Sequence, residues 1–287
     1  MWLKIRPYLL LMPAVGLTLL LFFGGLALGL LQSLGLFSIS GGSSFTFEWY
    51  QTLLVDQAFW KSFWLSFYTA GISTLISAVL GILTALGLLR LSYKWQRMTQ
   101  FALLVPHFIA GYVVILLFMQ SGWVSRWLHA FGLIDSIEQF PILVNDPFGW
   151  GVILTYIWKE TPFIALMVYP VLARIYQSWL EVAQTLGASR LSFFREIVLP
   201  LVLPAWLASA LIVLAFTFSA FEVPYLLGVT FPETLSVFSY QTYLSGSLEE
   251  RPLALAVNFL LAVATGFLGW IAYQWSKRWS VQGWKGW

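Results

Sequence analysis

Apolar stretches long enough for one helix to cross a bilayer, roughly 20 residues, recur along the chain, each closed by charge or by a cluster of Pro, Gly and Ser. The first runs from about Tyr8 to Leu31, and no charge falls between Arg6 and Glu48. The second lies between Lys61 and Arg90, the third runs from about Thr99 to Gln120, and the fourth from about Phe148 to Leu172. The fifth covers about Leu203 to Phe221 and the sixth about Leu253 to Trp275. Two are interrupted: the third contains Pro106 and His107, and the fourth contains Lys159, Glu160 and Pro162. The pattern predicts an all-α membrane protein with six transmembrane helices. A cleaved signal peptide is the alternative for the first stretch, but its apolar run exceeds the roughly 7 to 15 residues of such a segment, and no persuasive small-x-small site follows.

Composition agrees with lipid as the main solvent. Of 287 residues, 60% are hydrophobic and 9% are charged, against about 25% charged in a soluble domain. The 16 Trp and 12 Tyr suit the headgroup boundary, and the pairs Trp60 and Trp64, Trp123 and Trp127, and Trp275 and Trp279 read as interfacial anchors. With no Cys, disulfide frameworks and thiolate chemistry drop out. Two His and no Cys leave no cluster of metal ligands, and a net charge of +3 without a long basic run argues against nucleic acid. No repeat and no linker divides the chain, which predicts a single transmembrane domain over 1–287.

Orientation follows from where Lys and Arg fall, because basic residues are retained on the cytoplasmic side. The N-terminus, the second-to-third and fourth-to-fifth connections and the C-terminus hold Lys4, Arg6, Arg90, Lys94, Arg97, Arg174, Arg190, Arg195, Lys277, Arg278 and Lys285. The opposite connections hold Lys61, Arg126 and Arg251. The split of 11 against 3 predicts both termini in the cytoplasm, and it holds only if the chain crosses six times.

Between spans four and five lies a segment with its own physics. Ile175 to Leu186 reads as a helix with apolar Ile175, Trp179, Val182 and Leu186, stopped by Gly187, which enters the left-handed region cheaply. Leu191 to Val198 reads as a second short helix, halted by Pro200 and Pro204. Such a projecting helix-turn-helix offers itself to a groove on another protein. The segment resembles the hallmark loop of the permease subunits of binding-protein-dependent ABC importers: Glu-Ala-Ala, three residues, Gly, nine residues, Ile-x-Leu-Pro. Glu181, Ala183, Gly187, Ile197, Leu199 and Pro200 match in register, and Val182 stands where the pattern has its first Ala. Trp158, Lys159, Pro162 and Phe163, and later Ala254-Leu255-Ala256, are also similar to recurrent features of these permeases. The first span matches only in character.

The resemblance implies a type I permease-like fold whose coupling helices, in a loop at about 175–200, dock on a cytoplasmic ATPase dimer. It implies as further partners a second permease subunit, homologous or identical, an extracytoplasmic solute-binding protein and the lipid of a bacterial inner membrane. Alternating access would then be driven by ATP on the partner. The chain has no Gly-x-x-x-x-Gly-Lys-Ser/Thr phosphate loop, so we expect a transport subunit that is not an enzyme and carries no cofactor of its own. An ATP-independent channel or receptor would explain six spans but not the loop. An intramembrane enzyme lacks a catalytic constellation.

Four residues are candidates for the translocation pathway. Lys159 and Glu160 fall near the centre of span four, where a charge costs at least about 2.5 to 3.5 kcal/mol, so they must face something polar. Neighbours on a helix diverge by about 100°, so one could line the pathway while the other meets another helix; an interhelical ion pair is the alternative. Glu222, followed by Pro224 at the outer end of span five, could attract a cationic solute or mark the water interface, with Tyr225 behind it. For His107, a neutral imidazole hydrogen-bonded to a helix is the plainer reading. Phe221 to Gly228 is similar to permeases for polyamines, iron or other small charged solutes, whereas Glu233 through Tyr240 also resembles sugar permeases.

Overall fold

The computed structural model describes residues 2–37 and 44–284. Lys285 lies outside them, as do the side chains of Lys4, Arg6, Arg278 and Trp279. In chain order the helices are α1 (Trp2–Ser33), α2 (Glu48–Val55), α3 (Gln57–Leu88), α4 (Tyr93–Leu104), α5 (His107–Phe118), α6 (Trp123–Ala130), α7 (Trp150–Thr185), α8 (Arg190–Phe193), α9 (Leu199–Ser219), α10 (Glu222–Leu227), α11 (Leu235–Ser245) and α12 (Arg251–Trp284). Among the described residues, six helical stretches are long and apolar enough to cross a membrane, over Leu10–Ser33, Gln57–Leu88, His107–Ala130, Trp150–Thr185, Arg190–Ser219 and Arg251–Trp275. No strand occurs among the described residues.

Three boundaries differ from the sequence expectation. The third span starts later than the sequence predicts, at His107 rather than at about Thr99, because Pro106 has no N–H for the bond to Ala102 and forces Val105 into an extended conformation, with ψ 120°, so that α4 ends before it. Span four and the first loop helix are one element: α7 continues for 36 residues, about 54 Å at 1.5 Å each, past a hydrocarbon core of about 30 Å. Pro162 and Pro170 lie inside it without ending it. Nor do Pro200 and Pro204 stop the second loop helix. Phe194–Val198 forms a π-helical turn that runs directly into α9, with Pro200 in its first turn, where a missing N–H costs little.

The chain groups into two compact units, residues 1–60 with 235–263 and residues 61–234 with 264–287. In the first, the Ser33 hydroxyl pairs with Tyr50 OH at 2.7 Å, tying α1 to α2. Ser239 Oγ donates to the Ala254 carbonyl at 2.9 Å, and the Arg251 guanidinium lies 4.8 Å from the centre of the Tyr243 ring. Residues 10–31 of α1 are almost uniformly apolar and mostly exposed, as suits a helix facing lipid.

The second unit is organised on α7. Ile164, Ala165, Val168, Leu172 and Ile175 form one buried stripe against Ala78 and Ala85 of α3 and Val202 and Val213 of α9. The stripe continues out of the membrane into Ala183, Phe193 and Val198 of the loop. α3 approaches closely because it carries small residues there: a Cβ on Gly81 would stand 2.7 Å from Ile164 Cβ. The Trp206 indole N–H donates to the Ala78 carbonyl at 2.8 Å and ties α9 to α3. One core therefore joins the membrane spans to the loop.

Candidate functional site

The loop is built by a helix stop and a helix start placed back to back. At the end of α7, Gly187 adopts φ 79°, and its N–H donates to Gln184 O at 3.0 Å while the Ala188 N–H donates to Ala183 O at 2.9 Å. This pair of bonds is a Schellman motif, which satisfies carbonyls that a helix end leaves free. It explains two of the spaced residues at once: Gly187 supplies the left-handed turn, and Ala183 is small enough to be buried beneath it. Ser189 then starts α8 by accepting the Ser192 N–H at 3.1 Å, and the Ser192 hydroxyl donates to Glu196 at 2.8 Å. Phe193 is buried edge-on against Tyr176 of α7, with ring centres 5.4 Å apart, so the second limb folds back on the first.

What remains outside is a surface. Glu181 and Pro200 are exposed, and Val182, Leu186 and Leu191 are 52%, 81% and 66% exposed. The Val182 departure falls on this exposed face, so its extra methyls disturb no packing. Ile197 and Leu199 are half-buried, fixing the limb against the core. Behind the tip, Arg174, Trp179, Val182, Glu196, Ile197 and Leu201 line part of a groove of about 830 Å³.

The charged pair of span four sits elsewhere in the same unit. Lys159 and Glu160 are 2% and 6% exposed. The Lys159 ammonium donates to Ala102 O at 2.7 Å and to Val105 O at 2.6 Å. Glu160 Oε1 lies 2.9 Å from His107 Nε2. Both charges are thus spent on the break between α4 and α5. His107 is hydrogen-bonded to a helix, through the Glu160 side chain of α7, and its ring lies 4.8 Å from that of Phe216 on α9. The sequence signal for this was available: a proline with a histidine in one span, and an adjacent pair of opposite charges in another.

Glu222 opens α10 and is exposed, as is Tyr225, whose ring stacks on Phe221 at 4.9 Å. The structure therefore brings Lys159, Glu160 and His107 together, and Glu222 with Tyr225. Two further acids lie outside the four pathway candidates. Asp146 is buried and accepts the Phe148 N–H at 3.1 Å, in the turn that leads into α7, and the Gly151 N–H at 3.4 Å. Glu233, half-buried in the segment that follows α10, lines a small crevice with Asp146, and burial pushes its carboxyl up to about 7. The folded state then holds this proton more tightly than the unfolded chain. The stabilisation it gives is present below the unfolded value, about 4.3, and is lost as pH rises through the folded value. Glu233→Gln is expected to flatten the fall in thermal stability between about pH 5 and pH 8, checked by melting curves across that range.

Residues 77–281 match a family described as the binding-protein-dependent transport system inner membrane component. The chain belongs to this family. It is a multi-pass inner-membrane protein, and it spans less than two thirds of the length of the first curated relatives it matches. Among curated relatives, it is 25% identical over 202 residues to the trehalose transport system permease protein SugA of Mycobacterium tuberculosis, covering 69% of this chain and 64% of SugA. It is 26% identical over 228 residues to the spermidine/putrescine transport system permease protein PotB of Escherichia coli, covering 78% and 80%. The fold matches a chain of a bacterial alginate ABC transporter crystallised with an alginate pentasaccharide-bound periplasmic protein. That match has a TM-score of 0.77 and 22% identity, over 97% of each chain. The spaced residues of the loop fall inside the matched region.

Proposed function

We propose that this permease is the membrane-spanning subunit of an ABC importer, taking a small solute from an extracytoplasmic binding protein and driven by ATP hydrolysis on a separate ATPase dimer. A second permease subunit, homologous or identical, completes the pathway. The observation that carries this reading is the loop at 181–200: a rigid, outward-facing helix pair whose core is continuous with the spans. On this reading, ATP closes the ATPase dimer, the loop moves with it, and α7 and α9 carry the motion into the membrane. Both termini lie in the cytoplasm, supported by the distribution of basic residues. Hydrolysis belongs to the partner, and this chain holds no cofactor.

Reconstitution tests the reading. Proteoliposomes with the ATPase, the second permease and the binding protein should take up a labelled solute, trehalose or spermidine, only with ATP. Solute-stimulated ATP hydrolysis by the purified chain alone would refute it.

Glu222 and Tyr225, exposed at the start of α10, are the proposed solute contacts. With a cationic solute, Glu222→Gln is expected to raise the half-saturating concentration, and the difference should shrink as salt screens the charge. With a neutral sugar the change acts through lost hydrogen bonding, and salt should matter little. Equal kinetics for both proteins at low and high salt would remove Glu222 from the pathway.

A further inference from the structure

α6 presents two opposed faces at the outer end of span three. It is set off from α5 by an extended Met119, with ψ 156°, and an extended Gly122. Trp123 and Trp127 stand one turn apart, 61% and 57% exposed, and the Trp127 ring stacks on Phe131 at 5.6 Å. Such rings favour the headgroup boundary. At about 100° per residue, Ser125, Arg126 and His129 share the other side of the helix. With the aromatic side on lipid, that side looks away from the bilayer. On the orientation proposed above, it meets the extracytoplasmic water.

The polar side is one wall of a pocket of about 350 Å³, whose other wall includes Ile134, Ser136 and Ile137. The Gln120 amide donates to the Phe140 carbonyl at 3.2 Å and ties the two walls together. Arg126 Nε donates to the Ser121 carbonyl at 3.0 Å, which fixes the guanidinium and leaves both of its amino groups unused. Among the described residues Arg126 has no ion pair. Ser125 is 3% exposed, yet its hydroxyl has no partner among the described residues. The nearby acids do not fill the place. Glu138 accepts from the Ser136 hydroxyl and from its own backbone, which holds its carboxyl below the usual range, and Asp135 is exposed and does not line the pocket. A fixed guanidinium fork with a hydroxyl and an imidazole beside it is a donor set suited to a carboxylate.

We propose that the α6 pocket is the seat for one carboxylate side chain of the extracytoplasmic binding protein, with Arg126 as its principal contact. Arg126 is the one Lys or Arg between residues 121 and 149, and the outer connections as a whole carry more acids than bases. An Asp or Glu of the partner therefore finds few other seats, so the contact fixes the register in which the binding protein stands over the spans. The aromatic side of α6, held at the headgroup boundary, keeps the seat at a constant height above the membrane. This inference rests on the ABC-importer reading and deepens it by naming one of its contacts.

The assembled transporter in nanodiscs, with its binding protein titrated in, tests the seat through ATP hydrolysis and solute uptake. Arg126→Gln should raise the half-saturating concentration of binding protein about tenfold or more, with a smaller change in the maximum rate. Arg126→Lys, which keeps the charge but loses the fork, should fall between the two. Each surface Asp and Glu of the binding protein is then replaced in turn by Asn or Gln. One of these variants should show the same rise on the wild-type transporter and add nothing to Arg126→Gln, because both changes remove a single interaction. The cycle is run with Arg126→Lys as well, so that it closes even if Arg126→Gln fails to assemble. Losses that add for every acidic residue would overturn the inference. So would an Arg126→Gln effect confined to the half-saturating solute concentration with binding protein in excess, which would mark a solute site. An effect that vanishes when phosphatidylglycerol is left out of the nanodiscs would overturn it too, in favour of a lipid headgroup. A wild type whose ATP hydrolysis ignores the binding protein would instead sink the importer reading, and the seat with it.

Discussion

Gly187→Val is expected to leave the chain in the membrane and to cut binding-protein-stimulated ATP hydrolysis by the assembled transporter about tenfold. The residue sits at φ 79°, a conformation that costs a side chain with a Cβ roughly 1–2 kcal/mol, more for a β-branched one. Nothing lies within 4 Å of the Cβ position, so the effect is one of backbone and not of crowding. To relieve the strain, the chain must give up the Ala188-to-Ala183 bond and re-aim α8, and the exposed face from Glu181 to Leu191 loses its shape. A penalty of about 1.4 kcal/mol on the docked state corresponds to tenfold. Gly187→Asn, which tolerates the left-handed region, should retain most of the rate. Equal loss in both variants would show that the turn conformation is not what matters. Glu181→Lys, which reverses an exposed charge without touching the turn, should also uncouple if the ATPase presents a basic contact.

Gly81→Val is expected to destabilise the protein by about 1–3 kcal/mol or more, as overpacking of a close helix contact does. The added Cβ would meet Ile164 Cβ and Cγ2 at 2.7 Å, and the Thr161 carbonyl stands at 3.3 Å. Ile164 is fully buried in the stripe that joins α7 to α3 and α9, so it cannot rotate away. Ile164→Ala alone should cost about 2–5 kcal/mol through its cavity. The double variant should be more stable than the sum of the two losses implies, because the space vacated by one is filled by the other. Melting temperatures of the four proteins in detergent measure this coupling. Strict additivity would mean that α3 and α7 can separate without penalty.

These expectations draw on features of different visibility in the sequence. The six spans and the loop offsets were visible because each is a local pattern: an apolar run of fixed length, or a glycine at a helix end. The role of Ala183 could be anticipated only as part of a resemblance; the Ala188 N–H bond and the burial beneath Gly187 supply the physical reason. The sequence pattern divides α7 at Leu172 because polar residues such as Arg174 and Gln177 interrupt the apolar run, although they stand on one side of a helix whose other side stays apolar. Pro200 predicts a stop, yet a π-helical turn before it lets the helix continue. Lys159 was harder still. A buried cation announces that it has a partner but not which one, and its partners are backbone carbonyls more than 50 residues away, which no side-chain pattern can name.

The account depends most on the loop at 181–200 being the contact through which a separate ATPase acts on the spans. Leu186, exposed at the tip in a chain without Cys, offers the direct measurement. Leu186→Cys, carrying a photo-crosslinker in the assembled transporter, is predicted to yield a covalent adduct with the ATPase subunit whose amount changes on adding ATP and vanadate, and Gly187→Val in the same background should reduce it. An adduct formed equally with and without nucleotide, or no adduct with the ATPase while transport continues, would contradict the account.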